Sequence, residues 1–145
     1  TLTEHCVCKK IESYSPAALQ IVRPFDRLVR VNGRSGTGPQ LAKLVFDNEQ
    51  LELEFQRPVM KEITLEKKGR KAGFRIEKPS ETKNTHGLVI KGIDAGGATS
   101  DLPEGTFNAM DRISAIDGQE GTSAELLDML MAKERMVIAL CRYNE

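Results

Sequence analysis

Few residues in this chain have the types and spacing that chemistry needs. It holds two histidines, His5 and His86, and three cysteines, Cys6, Cys8 and Cys141. A side-chain nucleophile needs a positioned base, and neither histidine lies in a serine, cysteine or metal motif. His5 beside Cys6 and Cys8 supplies half a metal site, with no second half at a zinc spacing. No catalytic residue, metal or cofactor is expected. The cysteines, odd in number, read as small apolar side chains in a reducing compartment.

The densest charge cluster is Lys67, Lys68, Arg70 and Lys71 around Gly69. Such a run suits a phosphoinositide headgroup or a nuclear-import signal, although a solvated hairpin flank fits it better. Asp26-Arg27 and Asp111-Arg112 resemble charge pairs for chemistry. The same pair in two places argues that it serves the fold. His86 sits in a polar loop and reads as solvated.

The whole chain bounds the elements that must position these residues. Its 145 residues are 39% hydrophobic and 29% charged, which suits one ordinary or two small globular domains. Lysine plus arginine equals aspartate plus glutamate at 21 each, so charge favours neither nucleic acid nor a membrane surface. No apolar run reaches the roughly 20 residues of a membrane-spanning helix, and no signal-peptide pattern opens the chain. A cytoplasmic protein is expected, reaching membranes only through partners. The chain opens on Thr1 rather than Met, so a piece of a longer protein is expected.

An internal repeat organises the sequence. Phe25-Asp-Arg-Leu-Val-Arg-Val-Asn-Gly33 matches Met110-Asp-Arg-Ile-Ser-Ala-Ile-Asp-Gly118 at an offset of 85 residues. The same offset carries Thr37-Gly-Pro-Gln40 onto Thr122-Ser-Ala-Glu125 and Leu51-Glu-Leu-Glu-Phe-Gln-Arg57 onto Met136-Val-Ile-Ala-Leu-Cys-Arg142. Upstream, Val7-Cys-Lys-Lys-Ile-Glu12 aligns with Val89-Ile-Lys-Gly-Ile-Asp94 at an offset of 82.

Asn32-Gly33 and Asp117-Gly118 are turn signals, because these residue types tolerate positive φ. Thr37 with Gln40 and Thr122 with Glu125 predict capping boxes, with Pro39 in a first turn. Leu126, Leu127, Leu130 and Met131 predict one buried helix face, and Leu41, Ala42, Leu44 and Val45 another. Each unit then closes on an apolar strand. The second unit has an upstream part of its own. A strand is predicted over Glu62–Lys67 and a basic turn over Lys67–Lys71. Ala72-Gly-Phe-Arg-Ile-Glu77 leads into a second strand. Residues 79–86 read as a loop and Gly87–Ile93 as a third strand. Ala95–Leu102 reads as a loop with at most a short helix.

The order strand, glycine loop, strand, strand, short helix, strand with aliphatic-Asp-Gly, longer helix, strand resembles the PDZ family from about Lys61 to Tyr143. Ala72-Gly73-Phe74 resembles that family's apolar-Gly-Phe loop, and Met110 to Gly118 its aspartate turn. Met110 stands where the family usually has glycine, and Ala72 where leucine is commoner. The resemblance implies an α+β fold, mostly β with two helices per unit, built as a partly open β-barrel or sandwich. Two tandem repeats are expected: a truncated one over residues 1–58 and a complete one over 59–145.

The same resemblance implies a scaffold module that binds the C-terminal tails of other proteins, membrane receptors and adhesion proteins among them. The peptide would add as a strand beside residues 74–77. Its carboxylate would meet the amides of Gly73 and Phe74, with charge from Arg70 or Lys71. Phe74, Ile76, Leu127 and Leu130 would line the pocket, with Ala72 and Arg75 beside them. Ser123, opening the longer helix, stands where selectivity is set, although it reads equally as an ordinary first-turn residue.

The first unit is shorter. Six residues precede Val7, whereas 28 run from Lys61 up to Val89, so about 22 are lacking, the glycine loop among them. No carboxylate site is expected there, and its open strand edges invite homo-oligomer contacts. The joint Arg57-Pro-Val-Met60 is too short for free tumbling. Two alternatives stand beside peptide capture: a blocked groove acting through interdomain or oligomer contacts, and a regulatory fragment of a larger enzyme.

Overall fold

The computed structural model describes residues 23–77 and 86–143. The readings placed on His5, Cys6, Cys8, on residues 7–12 and on the loop 79–85 lie outside the described residues. The chain divides into two compact units, Thr1–Pro58 with Tyr143–Glu145, and Val59–Arg142.

The first unit runs β1 (Arg27–Val31), α1 (Gly38–Asp47), β2 (Leu53–Gln56), with β1 and β2 antiparallel. Thr37 starts α1 with a full capping box. Its hydroxyl accepts the Gln40 amide at 3.4 Å and the Gln40 side-chain oxygen accepts the Thr37 amide at 2.9 Å. Leu28, Val31 and Leu41 are buried, and Leu44, Val45, Leu53 and Phe55 pack half-buried against them. Full burial of such a side chain contributes roughly 1.5–3 kcal/mol. Ala42 is exposed, so the predicted helix face is narrower than expected. Among the described residues this unit has one helix rather than two.

The second unit holds β3 (Val59–Glu66), β4 (Phe74–Ile76), β5 (Leu88–Ile93), β6 (Arg112–Ile116), β7 (Gln119–Glu120), α2 (Ser123–Ala132) and β8 (Arg135–Arg142). A short 3-10 helix, Ala98–Asp101, lies between β5 and β6. The antiparallel sheet has the order β3-β8-β6-β5-β4, with β7 hydrogen-bonded to β6. The result is a sheet-dominated α+β fold. β3 begins at Val59, opposite Arg142, with Met60 opposite Cys141. Half of the expected joint is therefore strand, because β8 offers ladder partners along its whole length. Twelve buried residues form the core, among them Leu65, Ile90, Ile116, Leu126, Ile138 and Leu140. Met131 lies outside it at 73% exposure, so the predicted face of α2 is broader than the buried one.

The same contacts occur twice, 85 residues apart. The Asp26 carboxylate accepts the Arg23 amide at 2.9 Å and pairs with Arg57 at 3.3 Å. The Asp111 carboxylate accepts the Asn108 amide at 2.8 Å and pairs with Arg142 at 2.8 Å. The neighbouring Asp and Arg thus do not pair with each other; each aspartate ties the start of one strand to the end of another. The Asn32 side-chain oxygen accepts the Glu52 amide at 2.7 Å, and Asp117 accepts that of Val137 at 2.8 Å. Phe25 and Met110 share positive φ, 71° and 70°. That left-handed conformation favours glycine, the residue that the PDZ resemblance leads one to expect at Met110.

Candidate functional site

The second unit builds its glycine loop from behind. The Lys71 carbonyl accepts the Ala98 amide at 2.8 Å, that of Ala72 the Thr99 amide at 3.0 Å, and that of Gly73 the Asp94 amide at 2.8 Å. A trans peptide is planar, so the N–H of each following residue points opposite to those carbonyls. The amides of Ala72, Gly73 and Phe74 therefore face away from the 94–99 segment. Successive amides aimed to one side form an anion nest.

Gly73 is required twice over. Its φ is 94°, and a Cβ there would lie 2.9 Å from the Thr99 hydroxyl and 3.0 Å from the Gly97 Cα. Gly97 is equally constrained, since its Cβ would come within 2.4 Å of the Gly73 Cα. The two backbones touch, which sequence inspection missed; the Gly96-Gly97 pair was the available signal.

Those amides border a groove of about 510 Å³ between β4 and α2. Eight of the ten residues singled out from the sequence line it: Arg70, Lys71, Ala72, Gly73, Phe74, Ile76, Leu127 and Leu130. Lys67, Gly69, Met131 and Glu134 complete the lining. β4 ends the strand order, so among the described residues one of its edges has no strand partner. Phe74 is anchored edge-to-face on Phe107, ring centroids 4.9 Å apart.

Two residues singled out do not join the groove. Arg75 alternates away from Phe74 and Ile76 along the strand and pairs with Asp94 at 3.1 Å. Ser123 is buried, and its hydroxyl donates to the Gly87 carbonyl at 2.8 Å. Helical rotation places it above Leu126, on the core side of α2. His86 is half-buried rather than solvated: its carbonyl accepts the Arg112 guanidinium at 2.6 Å, and its ring lies 3.6 Å from Glu120.

The basic cluster is not a free cationic patch. Lys67 is 6% exposed and its ammonium donates to the Met131 carbonyl at 3.1 Å, near the end of α2 where the helix dipole favours a cation. Strand alternation from Ile63 and Leu65 was the signal that it points inward. Arg70 forms a two-pronged pair with Asp101, one arm at 3.2 Å. The hydrogen bond that Arg70 donates to Asp101 raises the Arg70 pKa and, reciprocally, holds the Asp101 carboxyl below its ordinary range. Glu134 accepts the Gly69 amide at 3.1 Å and so pins the Lys68-Gly69 turn, where both residues have positive φ. Lys68 and Lys71 remain exposed.

The element order, the glycine loop and the groove between edge strand and longer helix now stand together. Val59–Arg142 has a PDZ-like fold. No family model matches the chain, and no curated protein matches it. Solved structures are similar to it at low identity. A PDZ domain from choanoflagellate GIPC is 19% identical, covering 60% of this chain and 94% of that one, with a TM-score of 0.49. The second PDZ domain of Dlg1 from the choanoflagellate Monosiga brevicollis is 20% identical, covering 57% and 90%, with a TM-score of 0.46. INAD PDZ45, in complex with NORPA CC-PBM, is 15% identical, covering 99% and 80%, with a TM-score of 0.49.

Among the described residues of the PDZ-like unit and of the first unit, no group of three or more His, Cys, Asp or Glu is placed to hold a metal. No described helix is long and apolar enough to cross a membrane. Burial pushes the Cys141 thiol up to about 11. A thiol so placed is a poor nucleophile at neutral pH.

Proposed function

We propose that the PDZ-like unit is a non-catalytic interaction module that captures the C-terminal tails of other proteins. The supporting observation is the back-tied loop. Three carbonyls are taken by the 94–99 segment, which turns the amides of Ala72, Gly73 and Phe74 outward at the end of an apolar groove. A terminal carboxylate would take those amides. Lys67 lines the same groove, and its ammonium, held by the Met131 carbonyl, would add fixed positive charge there with less entropy loss than a free lysine. The ligand backbone would extend along the open edge of β4, and its last side chain would rest on Leu127, Leu130 and Met131. Gly73 and Phe74 keep part of their surface, which favours this reading over a blocked groove. We infer also that the first unit is a truncated counterpart of the second, given its recurring contacts, and that it adds no second carboxylate site.

The test is fluorescence polarisation with a panel of peptides varied over their last four residues, each as free acid and as amide. Free acids should bind at micromolar Kd, about −8 kcal/mol, with one site per chain. Amidation should abolish binding, and Gly73→Ala should weaken it at least tenfold by displacing the amides. Equal binding of acid and amide would sink the reading.

A further inference from the structure

Among the described residues, a side-chain pair ties the loop that carries the outward amides to the wall behind it. Arg70 and Asp101 meet through two parallel contacts, and the Arg70 Nε also donates to the Lys67 carbonyl at 3.4 Å. Arg70 lines the groove, while Asp101 ends the 3-10 helix whose amides take the Lys71 and Ala72 carbonyls. That helix is already fastened to the loop through the backbone. A side-chain strap would be redundant for position, but it is not neutral electrostatically. It sets a carboxylate of the protein on the guanidinium that, among the described residues, borders the anion nest.

We propose that Asp101 is an affinity-setting residue: it occupies Arg70 and so cancels the charge that a ligand carboxylate would otherwise meet. The proposal rests on carboxylate capture at the glycine loop. Near the nest, Lys67 is committed to Met131 and Glu134 to the Gly69 amide, and Lys68 adds a weaker attraction for Asp101. Lys71, exposed on the groove lining, adds a further positive charge, and the Arg70–Asp101 pair is the charge at this end of the groove that a single substitution can unmask. Both side chains are over a third exposed, at 36% and 44%, so their effect is screened by salt.

A charge-cancelling role and a strapping role predict opposite signs. If Asp101 cancels Arg70, Asp101→Asn leaves a bare cation beside the nest and tightens free-acid peptides about three- to tenfold at low salt. Arg70→Gln leaves a bare carboxylate and weakens them by a similar factor, and the double variant returns near the wild type. All three differences should shrink in half-molar salt. If Asp101 is a strap, both single variants weaken binding and the double variant does not recover; that result overturns the proposal. Affinities unchanged by Asp101→Asn overturn it as well. Acetate titrated against the amide NMR signals of Ala72, Gly73 and Phe74 gives a readout free of peptide sequence, and Asp101→Asn should strengthen it in the same proportion. If neither acetate nor any free-acid peptide binds, carboxylate capture itself fails and this inference falls with it. If both bind, yet equally to wild type and Asp101→Asn, capture stands and only the role of Asp101 is overturned.

Discussion

The β1–α1–β2 unit and the β6–α2–β8 part of the PDZ-like unit make the same local contacts in different surroundings. Asp26 and Asp111 are both buried, but the arginine paired with Asp26 is 49% exposed and the one paired with Asp111 only 18%. Arg112 is buried and donates to the His86 carbonyl, whereas Arg27 is exposed and lies over the Tyr143 ring, 5.9 Å from its centroid. Leu53 and Phe55 are half-buried, while their counterparts Ile138 and Leu140 are fully buried. Turns, caps and ion pairs are local and recur with the sequence. Burial depends on what packs over the strands, and in the PDZ-like unit Leu65, Ile90, Phe107, Leu126 and Leu130 share one buried core with Ile138 and Leu140.

The largest test of that difference uses matched core positions. Leu140→Ala should cost about 3–4 kcal/mol, since it opens a cavity in a closed core. Phe55→Ala should cost nearer 1–2 kcal/mol, because its surroundings can relax and water already reaches the ring. Urea unfolding, with hydrogen exchange to assign the change to a unit, measures both. Equal costs would show that the two cores are equally closed.

The paired positive-φ residues give a change of sign. Phe25 is buried and Met110 is 58% exposed. Phe25→Gly should destabilise by about 3 kcal/mol through lost burial. Met110→Gly should stabilise by about 0.5 kcal/mol, as relief of left-handed strain outweighs the extra freedom of glycine when unfolded. Thermal melts decide it; a destabilised Met110→Gly would mean that the Met110 side chain contributes contacts of its own.

The smallest effect is at the turns. The Asp117 carboxyl is held below its ordinary range, first by the hydrogen bond from Lys133 and then by the Val137 amide. A depressed folded pKa gives stability that is present above the unfolded value and lost as pH falls through the folded one. Asp117→Asn, which copies Asn32, should keep the bond to Val137 and remove this pH dependence. The gap between wild type and variant in urea midpoint should narrow as pH drops from about 5 to about 3. A gap constant with pH would show that the charge of Asp117 does not matter.

Much of the site was legible because its cues are local. Ala72-Gly73-Phe74 announced the loop, Thr122 and Glu125 the start of α2, and Leu127 and Leu130 the groove wall. The rest was hidden where a side chain's role depends on distant neighbours. Ser123 turns inward because the Gly87 carbonyl lies above it, 36 residues away. Arg70 is paired with Asp101, 31 residues on, with no spacing signal to announce it. Alternation from Ile63 and Leu65 hints that Lys67 points inward, but its partner, the Met131 carbonyl, lies 64 residues away with no local signal.

The sequence by itself determined the turns, the helix starts, the strand alternation and the recurrence at 85 residues, since each follows from φ preference, capping or side-chain period within a few residues. Only the tertiary structure decided which charges are free, which amides face the groove and how deeply each copy of the recurring contacts is buried. Those properties depend on how β3, β5 and the 94–101 segment pack, and packing brings together groups whose separation along the chain carries no local signal.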